Sequence, residues 1–168
     1  MEEERNILQS GMTFLELIIA IFILIVGIAG SFGLTQKAIS SSRIAMNQIT
    51  ANYLAQEGLE VVRNIRDNNL AQKDDWSNRI IIGCPCCMVS YNSFQMTECT
   101  ISTVLKKDGN GFYSHNGSIE TDPSFSRKIE TSVIDDCILV KSIVSWDEDK
   151  YSVTMVEKLC SWNTTEYE

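Results

Sequence analysis

The sequence predicts an α+β protein, with one long N-terminal helix followed by a small antiparallel sheet. Three observations carry that expectation. No proline occurs between Met1 and Pro85, apolar residues recur at steps of three and four as far as Ile65, and short β-type runs between polar turns fill the chain beyond Leu70.

The helix begins with Met12–Leu34, a 23-residue apolar run interrupted by one carboxylate, Glu16. At about 1.5 Å per residue such a helix spans roughly 34 Å, enough to cross a bilayer. Secretory h-regions are shorter, about 7 to 15 residues. A cleaved signal with Ala29-Gly30-Ser31 as its cut site is the rival; Glu16 inside the run and the acidic start Met1-Glu2-Glu3-Glu4-Arg5 stand against it. Flanking charge leaves the orientation open, with Arg5 on one side and Lys37 and Arg43 on the other. The cysteines decide it: all six lie C-terminal to the apolar run, which suits an oxidising, extracytoplasmic compartment. Formal charge is −8, or −6 without residues 1–11, which hold three Glu and one Arg. No block of Lys/Arg interleaves with aromatics, so a nucleic-acid surface is not expected.

Past Leu34 the pattern becomes one-faced, with Ala51, Leu54/Ala55, Gly58, Val61/Val62 and Ile65 on one stripe. One helix is expected from about Met12 to about Arg66, with Asp67-Asn68-Asn69 as the first strong cluster of breakers. Gly27, Gly30 and Gly33 fall where the halves meet, each costing about 0.8–1.0 kcal/mol against alanine. They permit either close approach of neighbouring membrane helices or a bend.

Ile80–Ile82, Met88–Tyr91 and Thr100–Leu105 are candidate strands or fragments, and Lys107-Asp108-Gly109-Asn110-Gly111 is a turn. Ser124–Val133, Cys137–Trp146 and Tyr151–Cys160 are stronger strands, the last two joined by Asp147-Glu148-Asp149-Lys150. Pairing Trp146 with Tyr151 sets Val144 against Val153, Val140 against Glu157 and Ile138 against Leu159, so one face is largely apolar. The same register puts Cys137 opposite Cys160 at a non-hydrogen-bonded position, where Cα atoms lie closer; a cross-strand disulfide is expected there.

Cys84-Pro85-Cys86-Cys87, with Cys99 twelve residues on, does not have the paired spacing of structural zinc. Two disulfides are the expected alternative. Adjacent Cys86 and Cys87 are not expected to bond each other, and the connectivity among the four stays open. Asp108-Gly109-Asn110-Gly111 resembles the start of a calcium loop, but Phe112 occupies the third ligand position, which favours a plain turn. Asn116-Gly117-Ser118 and Asn163-Thr164-Thr165 match the short glycosylation sequon. His115 is the only histidine and no Gly-x-Ser-x-Gly or Ser-x-x-Lys context exists. Nothing argues for an enzyme, no cofactor is expected, and disulfides are preferred over a metal at the four cysteines.

Glu16 remains. Insertion scales put an acidic residue near the centre of a membrane helix at roughly +2.5 to +3.5 kcal/mol, less toward the ends. A carboxylate four residues into the run can snorkel to the interface. Alternatively, a cut after Gly11 would create an α-amine on Met12 one helical turn from Glu16. That amine, or the one of a neighbouring copy, would attract the carboxylate strongly in a low dielectric.

Gly11-Met12-Thr13-Phe14-Leu15-Glu16 followed by an apolar helix resembles the leader and N-terminal helix of type IV pilins and type II secretion pseudopilins. Met12 stands where that family usually has phenylalanine, and the leader is acidic where the family's is basic. Residues 52–68, Asn52 to Asn68, look like the helix end of minor pilins and I-type minor pseudopilins. Phe125-Ser126-Arg127-Lys128-Ile129, Val144-Ser145-Trp146 and Leu159-Cys160-Ser161-Trp162 resemble their C-terminal sheet. The resemblance implies a leader at 1–11, a transmembrane half of the helix at 12–34, its amphipathic half at 35–68 and an extracytoplasmic β-rich domain at 69–168. It implies cleavage after Gly11 by a prepilin peptidase, N-methylation of Met12 and an assembly role for the Glu16 carboxylate. Its implied partners are other pilin or pseudopilin subunits and an assembly platform in the bacterial inner membrane. The competing expectation is a single-pass membrane protein whose ectodomain binds a metal or ligand through Cys84, Cys86, Cys87 and Cys99.

Overall fold

The computed structural model describes residues 14–100 and 102–161. Gly11, Met12, Trp162 and the Asn163 sequon lie outside them. The chain is α+β: among the described residues one helix, α1 (Phe14–Ala71), is followed by seven strands. These are β1 (Cys87–Met88), β2 (Thr97–Glu98), β3 (Val104–Lys107), β4 (Tyr113–Ser114), β5 (Phe125–Ile134), β6 (Cys137–Trp146) and β7 (Tyr151–Cys160). The chain forms two compact units, Met1–Ile44 and Ala45–Glu168.

In the first unit the helix runs unbroken through Gly27, Gly30 and Gly33. Two hydroxyls within the apolar stretch and just past it bond back to the helix: Ser31 Oγ donates to Gly27 O (2.9 Å) and Thr35 Oγ1 to Ser31 O (3.0 Å). Such back-bonding lets serine and threonine sit in apolar surroundings without an orphaned donor.

In the second unit the helix continues past the predicted stop. Asp67, Asn68 and Asn69 are helical, and the end falls at Ala71. Each of these polar residues finds a partner that offsets its weak helix preference. Arg66 Nε donates to Asp67 Oδ1, Asn68 Nδ2 donates to Asn64 Oδ1, and buried Asn69 donates to the carbonyls of Trp76 and Asn78. A Schellman cap then closes the helix. Lys73 takes the left-handed position (φ 58°) and donates to Leu70 O, while Asp74 N–H reaches Asn69 O.

β5, β6 and β7 form an antiparallel meander with ten-pair ladders. The observed β6–β7 register pairs Trp146 with Tyr151 and Cys137 with Cys160. Its loop carries Asp147, Glu148 and Asp149 at positive φ, closed by Lys150 N–H to Asp147 O (3.1 Å). The other edge of β5 is covered piecemeal: β3 pairs at Phe125 and Ser126, Arg127 N–H reaches Thr103 O, β1 pairs at Ile129, and Thr131 N–H reaches Cys84 O. That cover removes an open edge from the middle of the sheet.

The remaining strand expectations were only partly met. Ile80–Ile82 is a loop bracketed by positive-φ Arg79 and Gly83, with Ile80 buried and Ile82 exposed. The strand near Met88 stops early because Ser90–Ser93 turns, with Ser93 N–H on Ser90 O and Ser90 N–H on Ser93 Oγ. The strand expected from Thr100 starts at Val104.

Two apolar clusters fill the space between α1 and the sheet. One gathers Leu59, Val62, Ile65, Ile80, Cys87, Val89, Ile129, Ile138, Val140 and Leu159. The other gathers Ala51, Leu54, Ala55, Leu105, Phe125, Val144 and Trp146. Gly58 sits at the closest approach: a Cβ there would lie 2.6 Å from Ser142 Oγ, 3.1 Å from Ile129 Cδ1 and 3.2 Å from Arg127 Cδ. Helix and sheet backbones come this near only because residue 58 has no side chain.

Candidate functional site

Glu16 lies in the first described turn of α1, exposed, at the head of an apolar surface. Phe14, Leu15, Phe22, Ile23, Leu24 and Phe32 are each more than 60% exposed within the chain. This is the one helix among the described residues long and apolar enough to cross a membrane. A contiguous apolar surface of this extent is not left to water by a soluble monomer; it calls for lipid or other apolar helices. Gly27, Gly30 and Gly33 would meet nothing within 4 Å if each carried a Cβ, so no packing among the described residues requires them. Gly11 and Met12, the expected cleavage point, lie outside the described residues.

The six cysteines form three disulfides, leaving none free: Cys84–Cys87, Cys86–Cys99 and Cys137–Cys160. Cys137 and Cys160 have Cα atoms 4.3 Å apart, the short separation of a non-hydrogen-bonded pair. Each of the vicinal cysteines, Cys86 and Cys87, bonds elsewhere. Disulfide bonding takes up all four sulfurs from which a metal site was considered.

The sequence reading missed the polar centre of the domain. Arg127 points inward from β5 and is fully buried. Its Nη1 donates to Glu57 Oε1 (2.9 Å) and Leu54 O (2.9 Å), and its Nη2 donates to Val89 O (2.7 Å). One guanidinium thus ties the helix to β5 and to the cysteine-rich segment. Burial lowers the Arg127 pKa, an effect opposed by the Glu57 carboxylate. A signal for it existed: Arg127 occupies an inward position between Phe125 and Ile129, where a cation requires a partner.

His115 packs near the same cation. Burial first, then the Arg127 charge, hold its pKa down from the usual 6.5 to about 4. Its ring nitrogens are buried, with no partner at hydrogen-bond geometry among the described residues; the nearby backbone of Val104 and Val89 offsets the burial only in part. At the surface, Arg63 joins α1 to β7 through Glu157 (2.6 Å), a hydrogen bond that raises its pKa. In the loop predicted as a turn, Asp108 Oδ1 accepts from the backbone of Asn110 and Phe112, and Oδ2 from Tyr91 Oη (2.7 Å). The Tyr91 bond holds the Asp108 carboxyl below its ordinary range. The Asp108 oxygens are therefore occupied in shaping a turn.

Together these features define a chain with an exposed apolar helix headed by a carboxylate, followed by a disulfide-bonded α+β domain. Comparison with protein-family models, characterised proteins and solved structures returned no match.

Proposed function

We propose that the chain is a minor type IV pilin or pseudopilin, a structural subunit held in the inner membrane by its N-terminal helix until it is assembled. One observation carries this reading: a carboxylate five positions after a glycine, in the first described turn of a helix whose apolar residues from Phe14 to Leu34 stay exposed among the described residues. In this account a prepilin peptidase cuts after Gly11 and methylates the new amine of Met12. The Glu16 carboxylate then neutralises the amine of a neighbouring subunit, and the bare apolar surface packs against other subunits in a pilus or secretion pseudopilus. The domain beyond the membrane is structural, stapled by disulfides suited to an oxidising compartment.

The competing reading is a metal- or ligand-binding ectodomain on a single-pass anchor, and its metal form needs free thiolates at Cys84, Cys86, Cys87 and Cys99. Their pairing as disulfides favours the subunit reading. Intact-mass analysis of protein recovered from native membranes separates the two. A chain beginning at Met12 with one added methyl group is expected; an uncut chain carrying stoichiometric zinc would overturn the proposal.

A further inference from the structure

The two disulfides at Cys84-Pro85-Cys86-Cys87 share a vicinal pair, yet their surroundings differ. Cys84 is 4% exposed and Cys87 is fully buried in the larger apolar cluster, whereas Cys86 and Cys99 are both half-buried. The backbone separates them further. Cys84 is bonded to Thr131 of β5 in both directions, its N–H to Thr131 Oγ1 (3.0 Å) and its carbonyl from Thr131 N–H (3.0 Å). Cys87 pairs with Ile129 of β5. Cys86 and Cys99 are held together across the two-pair ladder of β1 and β2 and by Cys99 N–H on Cys86 O (3.0 Å), with Thr97 Oγ1 on Met88 O (3.4 Å) and buried Met96, its N–H on Arg79 O (3.0 Å), as the further ties of β2. The third disulfide closes the ten-pair ladder of β6 and β7.

We infer that Cys86–Cys99 is a redox-exchange site for an extracytoplasmic dithiol, while Cys84–Cys87 and Cys137–Cys160 are structural. Two physical terms decide this. The first is access, since exchange needs a thiolate to reach a sulfur, and the sulfur of Cys87 is shielded by the core. The second is how firmly the fold holds two thiols together once the bond is open. Cys137 and Cys160 stay opposite each other on a long ladder, and Cys84 and Cys87 stay anchored on β5, so both bonds re-form readily. Cys86 and Cys99 depend on strands of two residues each, and so short a ladder beyond Met96 opens locally at lower cost than the ten-pair ladder of β6 and β7.

The exchange balances simply. A thiolate of the dithiol attacks one sulfur of the Cys86–Cys99 bond, and the other cysteine leaves as a thiolate and takes up a proton. The second thiol of the reductant then closes on the mixed disulfide and expels the remaining cysteine. Two electrons and two protons pass to the protein, and the dithiol leaves as a cyclic disulfide. Segment 84–89 stays on β5, with Val89 O still accepting from Arg127, while residues 90–99 lose their covalent tether.

The test equilibrates the full chain in detergent micelles against graded ratios of reduced to oxidised dithiothreitol. Acid quenching, alkylation with N-ethylmaleimide and peptide mapping then locate the free thiols. Cys86 and Cys99 are expected to become labelled at a reductant ratio at least ~10-fold lower than any other cysteine, a gap of about 30 mV. Labelling of Cys84, Cys87, Cys137 or Cys160 at the same or a lower ratio would overturn the inference. A second measurement compares paired variants: Cys86→Ser with Cys99→Ser should keep the parent's thermal midpoint more closely than Cys84→Ser with Cys87→Ser. Equal losses, or the reverse order, would contradict it.

Discussion

Residues 14–44 and 45–71 belong to one helix, yet the first stretch keeps its apolar side chains bare while the second buries one stripe, from Ala51 to Ile65. Phe22 is 67% exposed and Leu54 4%. The contrast extends to carboxylates: Glu16 heads the bare stretch, and Glu57 in the covered stretch holds a buried guanidinium. It extends to glycines too, since Gly30 faces open space and Gly58 is pressed against Ser142. What the difference teaches is where each half finds its packing partner. The second half finds it in its own sheet; the first finds none among the described residues and, on the proposed reading, packs against lipid and then against other subunits.

Glu57→Gln sharpens this contrast most within the domain. It leaves the Arg127 cation buried without its counter-charge, a fault that costs roughly 3–5 kcal/mol for fully buried pairs. The Glu57 side chain is 34% exposed, so water offsets part of the loss and about 3 kcal/mol is expected. Urea unfolding followed by tryptophan fluorescence measures it. A loss below about 1 kcal/mol, the value of an ordinary surface pair, would show that Arg127 does not need Glu57.

A second break comes through pH. The folded-state pKa of His115 lies below its ordinary value, so the unfolded chain binds the proton more readily. The stability this confers is complete above about pH 6.5 and is lost as pH falls toward about 4. The change amounts to about 3 kcal/mol. His115→Gln should flatten the stability profile across that window, measured as the difference between variant and parent so that carboxylate titration cancels. Parallel profiles would remove His115 as the cause.

The smallest expected effect separates the two glycines. Gly58→Ala gains about 1 kcal/mol in helix propensity but forces a Cβ against Ser142, Ile129 and Arg127, where overpacking costs about 1–3 kcal/mol. A net loss of about 1 kcal/mol is expected in thermal unfolding. Gly30→Ala meets nothing within 4 Å and should leave the domain's unfolding unchanged. Equal effects from both would erase the distinction between the two stretches.

The parts of this fold that local pattern governs were legible in the sequence. Helical spacing announced the buried stripe from Ala51 to Ile65, and two-residue alternation set the β6–β7 register that brings Cys137 to Cys160. The rest depends on contacts distant in sequence. Asn69 stays helical because loop carbonyls at Trp76 and Asn78 accept from its side chain. Glu57 and Arg127 stand 70 residues apart, and only packing of helix on sheet brings them together. The connectivity of Cys84, Cys86, Cys87 and Cys99 follows from how that segment lies on β5, which no spacing rule contains. For Glu16 the sequence offers the motif, and its proposed partner belongs to another molecule.

The central claim is that Glu16 acts in assembly rather than in folding. Glu16→Ala, expressed in cells lacking the native copy, tests it most directly, with leader removal and filament incorporation followed side by side. The account predicts a processed, membrane-held subunit with an unchanged domain that is absent from the filament fraction. Normal incorporation of the processed variant would contradict it.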